Sequence, residues 1–222
     1  MFKRHRYPRV VILHAVYLKL RFTLSYRDVE ELLSMRGVQV DHSTVQRWVF
    51  KFSPEIEKNM HKRKRQVCSS WRMDETYIKV GGKDRYLYRA VDKFGNTVDF
   101  LLTKRRMRGS AQLFLRKAIG NNGKPRVINI DKSGANKSGI KIINRDLLTV
   151  RKIKIRQCKY LNNIVEQDHR NIKRRISIDT GFKEFESAKR TLAGIEVVNI
   201  IRKGQIADSR KTTFKTFCSL TA

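Results

Sequence analysis

Between Trp71 and Thr103 three runs of β-forming residues are separated by two turn signatures, and this spacing constrains the fold more than any other feature of the chain. Trp71 to Val80 reads as a strand and Gly81-Gly82 as a hairpin turn. Tyr86 to Val91 is a second strand, closed by the turn residues Asp92 to Asn96, and Thr97 to Thr103 is a third. The pattern then changes. A helix near Ser110 to Ile119 leads into Arg126 to Asp131, a short apolar run of the kind buried in a parallel sheet. A second helix-like stretch, a strand around Ile153 to Gln157 and a long helix from about Leu161 to Ser177 follow.

Three antiparallel strands followed by alternating helix and strand is the element order of an α/β, ribonuclease-H-like domain, a mixed five-stranded sheet with helices. It is assigned residues 66–178. Residues 1–65 read instead as a small helical, helix-turn-helix domain. Pro8 suits a first helical turn, and Val10, Val11, Leu13, Val16 and Tyr17 make an apolar helix after it. Ser25-x-x-Asp28 resembles a capping box, with Gly37 as a stop. Ser43-x-x-Gln46 opens a third helix carrying Val45, Trp48, Val49 and Phe52, which Ser53-Pro54 is expected to end. Lys62 to Arg65 reads as a basic linker. Residues 179–222 are expected to supply an amphipathic helix, Glu184 to Gly204, packed on the catalytic sheet, and a polar tail.

Charge decides the class of partner. Fifty Lys and Arg stand against 20 Asp and Glu, a formal +30 in 222 residues, which calls for a polyanion. Residues 71–178 hold 27 of the basic and nine of the acidic groups, so most of the excess lies in the α/β part. Nucleic acid is the leading partner and a membrane the rival. The apolar start, Val10 to Leu18, is followed at once by Lys19 and Arg21 and is far shorter than the ~20 residues that span a bilayer, so no membrane is expected. Cys68, Cys158 and Cys218 form no C-x-x-C pair, which points to a reducing cytoplasm and, with the charge, to the nucleoid.

Nucleic-acid enzymes of this architecture hold paired divalent metals with carboxylates. Asp74 lies mid-strand among apolar neighbours, where a carboxylate is costly to bury unless paired or metal-bound. On strand context alone, Asp92 and Asp99 are nearly as good. Asp131 ends an apolar strand, where α/β sheets place ligand-binding residues. On the long helix Glu166, His169 and Lys173 share one flank of the apolar stripe, whereas Asp168 projects onto the stripe as a structural ion-pair partner. His169 is given no metal role. Asn162 and Asn163 are expected to hydrogen-bond nearby.

These residues carry a family resemblance. Trp71 to Ile78, Tyr86 to Asp92, Val127 to Lys132 and Lys159 to Arg170 resemble the bacterial insertion-sequence transposases with a DDE triad. The likeness is greatest to the insertion-sequence-six family, which moves by replicative cointegrate formation. Gly181 to Lys183, Ala188 to Arg190, Gly194 to Glu196 and Arg202 to Gln205 extend it to the tail, and Ser25 to Asp28 and His42 to Trp48 to the head. The resemblance implies Asp74, Asp131 and Glu166 as catalytic metal ligands and Lys173 as the basic residue seven positions after the Glu. Thirty-four residues lie between Asp131 and Glu166, as this kind of transposase requires. The chain departs from the family between Ser133 and Arg151: Ala135-Asn136-Lys137 stands where an aromatic residue is more usual.

The implied activity is metal-dependent cleavage at terminal inverted repeats and strand transfer into target DNA. It uses two Mg²⁺, for which Mn²⁺ can substitute, and at least a homodimer to hold two ends of double-stranded DNA. In the head, His42, Ser43, Thr44, Gln46, Arg47 and Lys51 would face the repeats, reading base edges or gripping phosphates, with Trp48 in the core. Two other readings stay open: a DNA-binding regulator with an inactive catalytic remnant, and a nuclease of the same fold that cuts without joining.

Overall fold

The computed structural model describes all residues except Met1, Lys3, Arg4, Lys132, Ser133, Asp146, Asp179, Thr180, Gly181, Arg210, Lys211 and Ala222. Lys132, Ser133 and Gly181, which the family resemblance touches, therefore lie outside the described residues. The chain divides into two units, Gln66–Arg174 and a second one made of Met1–Arg65 with Arg175–Ala222.

In the first unit, β1 (Ser70–Val80) and β2 (Lys83–Asp92) form a hairpin whose register runs from Trp71 opposite Asp92 to Val80 opposite Lys83. Gly81 and Gly82 both have positive φ, +57° and +72°, which a two-residue turn matching the strand twist requires. β3 (Thr97–Thr103) pairs with β2, with an irregularity between Ala90 and Val91. Helix α4 (Arg108–Asn122) crosses to β4 (Val127–Ile130), which lies parallel to β1, and α5 (Gly134–Arg145) crosses to β5 (Lys154–Gln157). The order β3-β2-β1-β4-β5, antiparallel on one side of β1 and parallel on the other, is the expected ribonuclease-H-like sheet.

Alternation gives the sheet two different faces. Trp71 and Met73 of β1, Tyr88 and Ala90 of β2, and Ile128 and Ile130 of β4 join Phe114 and Leu115 of α4 and Ile140 of α5 in one apolar core. The opposite face carries Arg72, Asp74, Thr76, Arg89 and Asn129, and helix α6 (Asn163–Ile178) covers it with Val165, Asp168, His169 and Ile172. Asn129 on β4 donates to the Asn162 side chain (2.6 Å) and to the Cys158 carbonyl (2.9 Å). These bonds hold the short 3-10 turn Lys159–Asn162 from which α6 starts. The expected polar role of Asn162 is thus the anchoring of α6.

In the second unit, α1 (Arg9–Arg21), α2 (Tyr26–Ser34) and α3 (His42–Arg63) are joined by α7 (Phe185–Arg202) and α8 (Thr213–Ser219). The Ser25–Asp28 capping box forms in both directions, at 3.0 and 2.7 Å. The third helix departs from expectation at both ends. Its cap is Asp41, whose carboxylate accepts from the Ser43 amide at 2.8 Å, and it runs through Pro54 to Arg63. Proline forfeits one backbone hydrogen bond there. Phe52, Ile56 and Met60, all fully buried, continue the apolar stripe across it, and their burial outweighs that loss. The supposed linker is accordingly tied in. Arg63 donates to the Ser219 carbonyl at 3.0 Å, and Lys64 bridges to Ile206.

The expected packing of the C-terminal helix on the sheet is corrected. α7 lies mainly against α3, then against α1 and α8, within the helical unit. Beyond its first turns it is not amphipathic: from Thr191 to Ile201 every residue is buried, Leu192, Ile195, Val197, Val198, Ile200 and Ile201 among them. A helix apolar all round belongs in the centre of a bundle. The tail is not simply polar either, since Phe217 and Leu220 are buried.

The closest approach is at Gly194, where an added Cβ would lie 2.6 Å from both Leu20 methyls and 2.7 Å from the Ser53 hydroxyl. Gly194→Ala is expected to lower the urea midpoint. Overpacking costs about 1–3 kcal/mol, and the helix preference for alanine returns at most about 1 kcal/mol. An unchanged midpoint would mean that Leu20 and Ser53 give way freely.

Candidate active site

The β1–β4 register pairs Ser70 with Val127, Trp71 with Ile128 and Arg72 with Asn129. Continued by two positions, it sets Asp74 beside Asp131 at the end of β4, on strands about 4.8 Å apart. Glu166, in the first turn of α6, comes over the same face. Burial pushes the Asp74 carboxyl up to about 7, and the charges of Glu75, Asp131 and Glu166 push in the same direction, against one backbone hydrogen bond from Glu75. The charges of the other two predicted carboxylates therefore reach Asp74.

The competing aspartates are accounted for otherwise. Asp92 is buried at the β2–β3 turn and accepts from the Phe94 and Asn96 amides (2.8 and 3.0 Å), the Asn96 side chain (3.0 Å) and the Cys68 amide (3.1 Å). Asp99 pairs with Lys117 at 3.2 Å and accepts from Asn121 at 2.8 Å. Carboxylates so fully bonded have little left for a ligand. Asp168 is the structural partner expected of it: it binds Arg89 at 2.7 Å, with Arg89 fully buried.

His169 is the residue that sequence reasoning set aside. Its Nδ1 lies 3.6 Å from the Asp74 carboxylate, too long for a hydrogen bond, and the ring is buried. Burial first, and then the nearby Arg89, pull it down to about 3, so it stays neutral at physiological pH. The signal was present in the flank it shares with Glu166 and Lys173. Lys173 is exposed two helical turns beyond Glu166, and its ammonium stands over the Tyr77 ring, 5.0 Å from the centroid.

The head residues have partners of their own. His42 Nδ1 lies 2.9 Å from the Glu30 carboxylate, and Ser43 bonds Asp41. Arg47 donates to Thr44 at 2.8 Å, and Lys51 meets His5 at 3.0 Å. Gln46 is half-buried, and Trp48 is in the core with Tyr7 edge-on to it.

The donor set suits a hard divalent cation. Asp74, Asp131 and Glu166 offer only carboxylate oxygens, and the repulsion that Asp74 feels from the other two is of the kind a cation relieves. Among the described residues no helix is long and apolar enough to cross a membrane.

With Asp74 in the middle of β1 and Asp131 just past the end of β4, comparison with known proteins makes this chain a polynucleotidyl transferase of the DDE class. Residues 68–205 match the family model described as DDE domain, and residues 6–124 match that described as Transposase IS66 family. The transposase for insertion sequence-like element IS431mec of Staphylococcus aureus is 40% identical over 207 residues, covering 91% of this chain and 88% of the relative. The transposase of IS257 in transposon Tn4003, also from Staphylococcus aureus, aligns with the same identity and coverage. The magnesium complex of the HTLV-2 integrase catalytic core aligns at 20% identity and TM-score 0.47, over 62% of this chain and 88% of that one. The chain belongs to the DDE insertion-sequence transposases, and the insertion-sequence-six family fits it. It is a DNA transposase, an enzyme that acts on DNA.

Proposed function

We propose that Asp74, Asp131 and Glu166 are the catalytic triad of this transposase and hold two Mg²⁺, with Mn²⁺ able to substitute. The observation that carries this is the Asp74 carboxyl, buried and raised to about 7 among other carboxylates, while Asp92 and Asp99 are consumed by turn and ion-pair bonds. When bound, paired divalent ions supply activation of the attacking oxygen and stabilisation of the leaving one. The chain's own residues supply position and charge.

Asp74 is carried by β1, Asp131 follows the end of β4, and Glu166 is carried by α6, whose start Asn129 anchors, so the fold supplies position before DNA arrives. The surrounding Lys and Arg, Lys173 among them, neutralise phosphate charge along the bound strands. Water attacks the scissile phosphorus at each transposon end, and the 3′ oxygen leaves as a hydroxyl. That hydroxyl then attacks a target phosphorus in line and expels the target's own 3′ oxygen. No covalent enzyme–DNA bond is needed.

His42, Ser43, Thr44, Gln46, Arg47 and Lys51, on the first turns of α3, meet the inverted repeats. They exchange their present partners for base edges and phosphates. Synapsis of two ends requires at least a dimer.

The test is strand transfer with labelled ends and Mg²⁺. Asp131→Asn and Glu166→Gln should keep DNA binding while cutting and joining fall by more than about 100-fold, beyond the usual cost of an outer-shell contact. Full joining by either variant would sink the triad. Binding without cutting in the unaltered protein would mark a regulator, and cutting without joining a nuclease.

A further inference from the structure

Glu75 follows Asp74 directly, so on a strand it points to the opposite face of the sheet. That face is the apolar core, and the Glu75 side chain is only 4% exposed. A carboxylate there is costly unless bonded. Among the described residues two side chains meet it. Arg106, from the connection between β3 and α4, forms an ion pair with Oε1, and Asn136 of α5 donates from Nδ2 to Oε2 at 2.6 Å. Asn136 is itself fully buried, and its Oδ1 has no hydrogen-bond partner among the described residues. The amide is therefore held by this bond to Glu75 rather than by a balanced set. Partial burial works against the Arg106 charge. Even so, the charge of Glu75 and its hydrogen bond, and then the charge of Asp131, hold the guanidinium above its ordinary value.

The placement matters because of what adjoins each end. Glu75 shares a peptide unit with Asp74, and Asn136 lies five residues after Asp131, in the first turn of the helix that Asp131 leads into. Asn136 also falls within the stretch where the sequence departs from the family's aromatic pattern. The geometry points to Glu75 and Asn136 as positioning residues, whose buried hydrogen bond fixes Asp74 relative to Asp131 and so sets the affinity of the acidic centre for a divalent cation. This rests on the triad reading above. Neither residue is among the proposed ligands, so both are positioning residues.

The probe is Mn²⁺ titrated into the metal-free full chain, with free Mn²⁺ read by electron paramagnetic resonance and thermal melting recorded alongside. Asn136→Ala should raise the Mn²⁺ dissociation constant about 10-fold or more, the size seen when an outer-shell partner is lost. Glu75→Gln retains an amide oxygen to accept from Asn136 and should stay within about threefold of the unaltered protein, a small part of that outer-shell loss. If the alanine variant does not fold, Asn136→Ser, whose short hydroxyl cannot span to Glu75, takes its place with the same expected loss. A lower melting temperature with an unchanged dissociation constant would overturn the proposal and leave the pair merely structural. Asp74→Asn and Asp131→Asn run in parallel separate the two failures. If they too bind Mn²⁺ normally, the triad reading itself falls.

Discussion

Asp168→Ala will destabilise the Gln66–Arg174 unit by about 3–5 kcal/mol, the usual cost of removing one partner of a buried ion pair. Arg89 is fully buried and Asp168 is 8% exposed, and the guanidinium meets the carboxylate at 2.7 Å. Without Asp168 the buried Arg89 guanidinium loses the carboxylate that meets it at 2.7 Å. The double variant Arg89→Met with Asp168→Leu removes both charges and keeps much of the volume, so it should regain most of the loss. For a chain of this length the single substitution corresponds to a fall of roughly 6–20 °C in melting temperature. A fall within about 1 kcal/mol, the range of exposed pairs, would mean that water reaches Arg89.

The same pair shows what the sequence can and cannot convey. Helical angle alone put Asp168 on the apolar stripe and Glu166 on its flank, and that difference separates a structural ion-pair partner from a member of the proposed acidic centre. β3 was legible residue for residue, and β1 nearly so, because alternation and turn chemistry are local. Choosing Asp74 over Asp92 and Asp99 was not local. All three sit in similar strand contexts, and only their hydrogen-bond partners separate them. Glu75 was illegible for the same reason, since Asn136 is 61 residues away. Pro54 misled because its penalty is written in the sequence while the burial of Ile56 and Met60 is not. α7 misled because a helix buried on all sides shows no face that says where it docks.

Asp74→Asn should abolish strand transfer and, without metal, make the protein more stable at pH 8. Asp74 holds its proton up to about pH 7 in the folded chain and has an ordinary value of 3.8 when unfolded. Between those values the folded state binds more protons than the unfolded one, so its stability falls as pH rises and levels off above 7. At about 1.4 kcal/mol per unit over roughly three units, the loss approaches about 4 kcal/mol. Asparagine has no proton to lose, so the variant escapes this decline. His169 adds the opposite limb, because its value near 3 means that the unfolded state takes up the extra proton as pH falls below 6.5. Both proteins keep His169, so the difference between their stability curves isolates Asp74. That difference should be small near pH 4, grow to pH 7 and then stay constant. Adding Mg²⁺ at pH 8 should raise the melting temperature of the unaltered protein and close most of the gap, with little effect on the variant. A difference that does not grow between pH 5 and pH 8 would show that Asp74 ionises freely, and the acidic centre would then lack the stored repulsion that favours a cation.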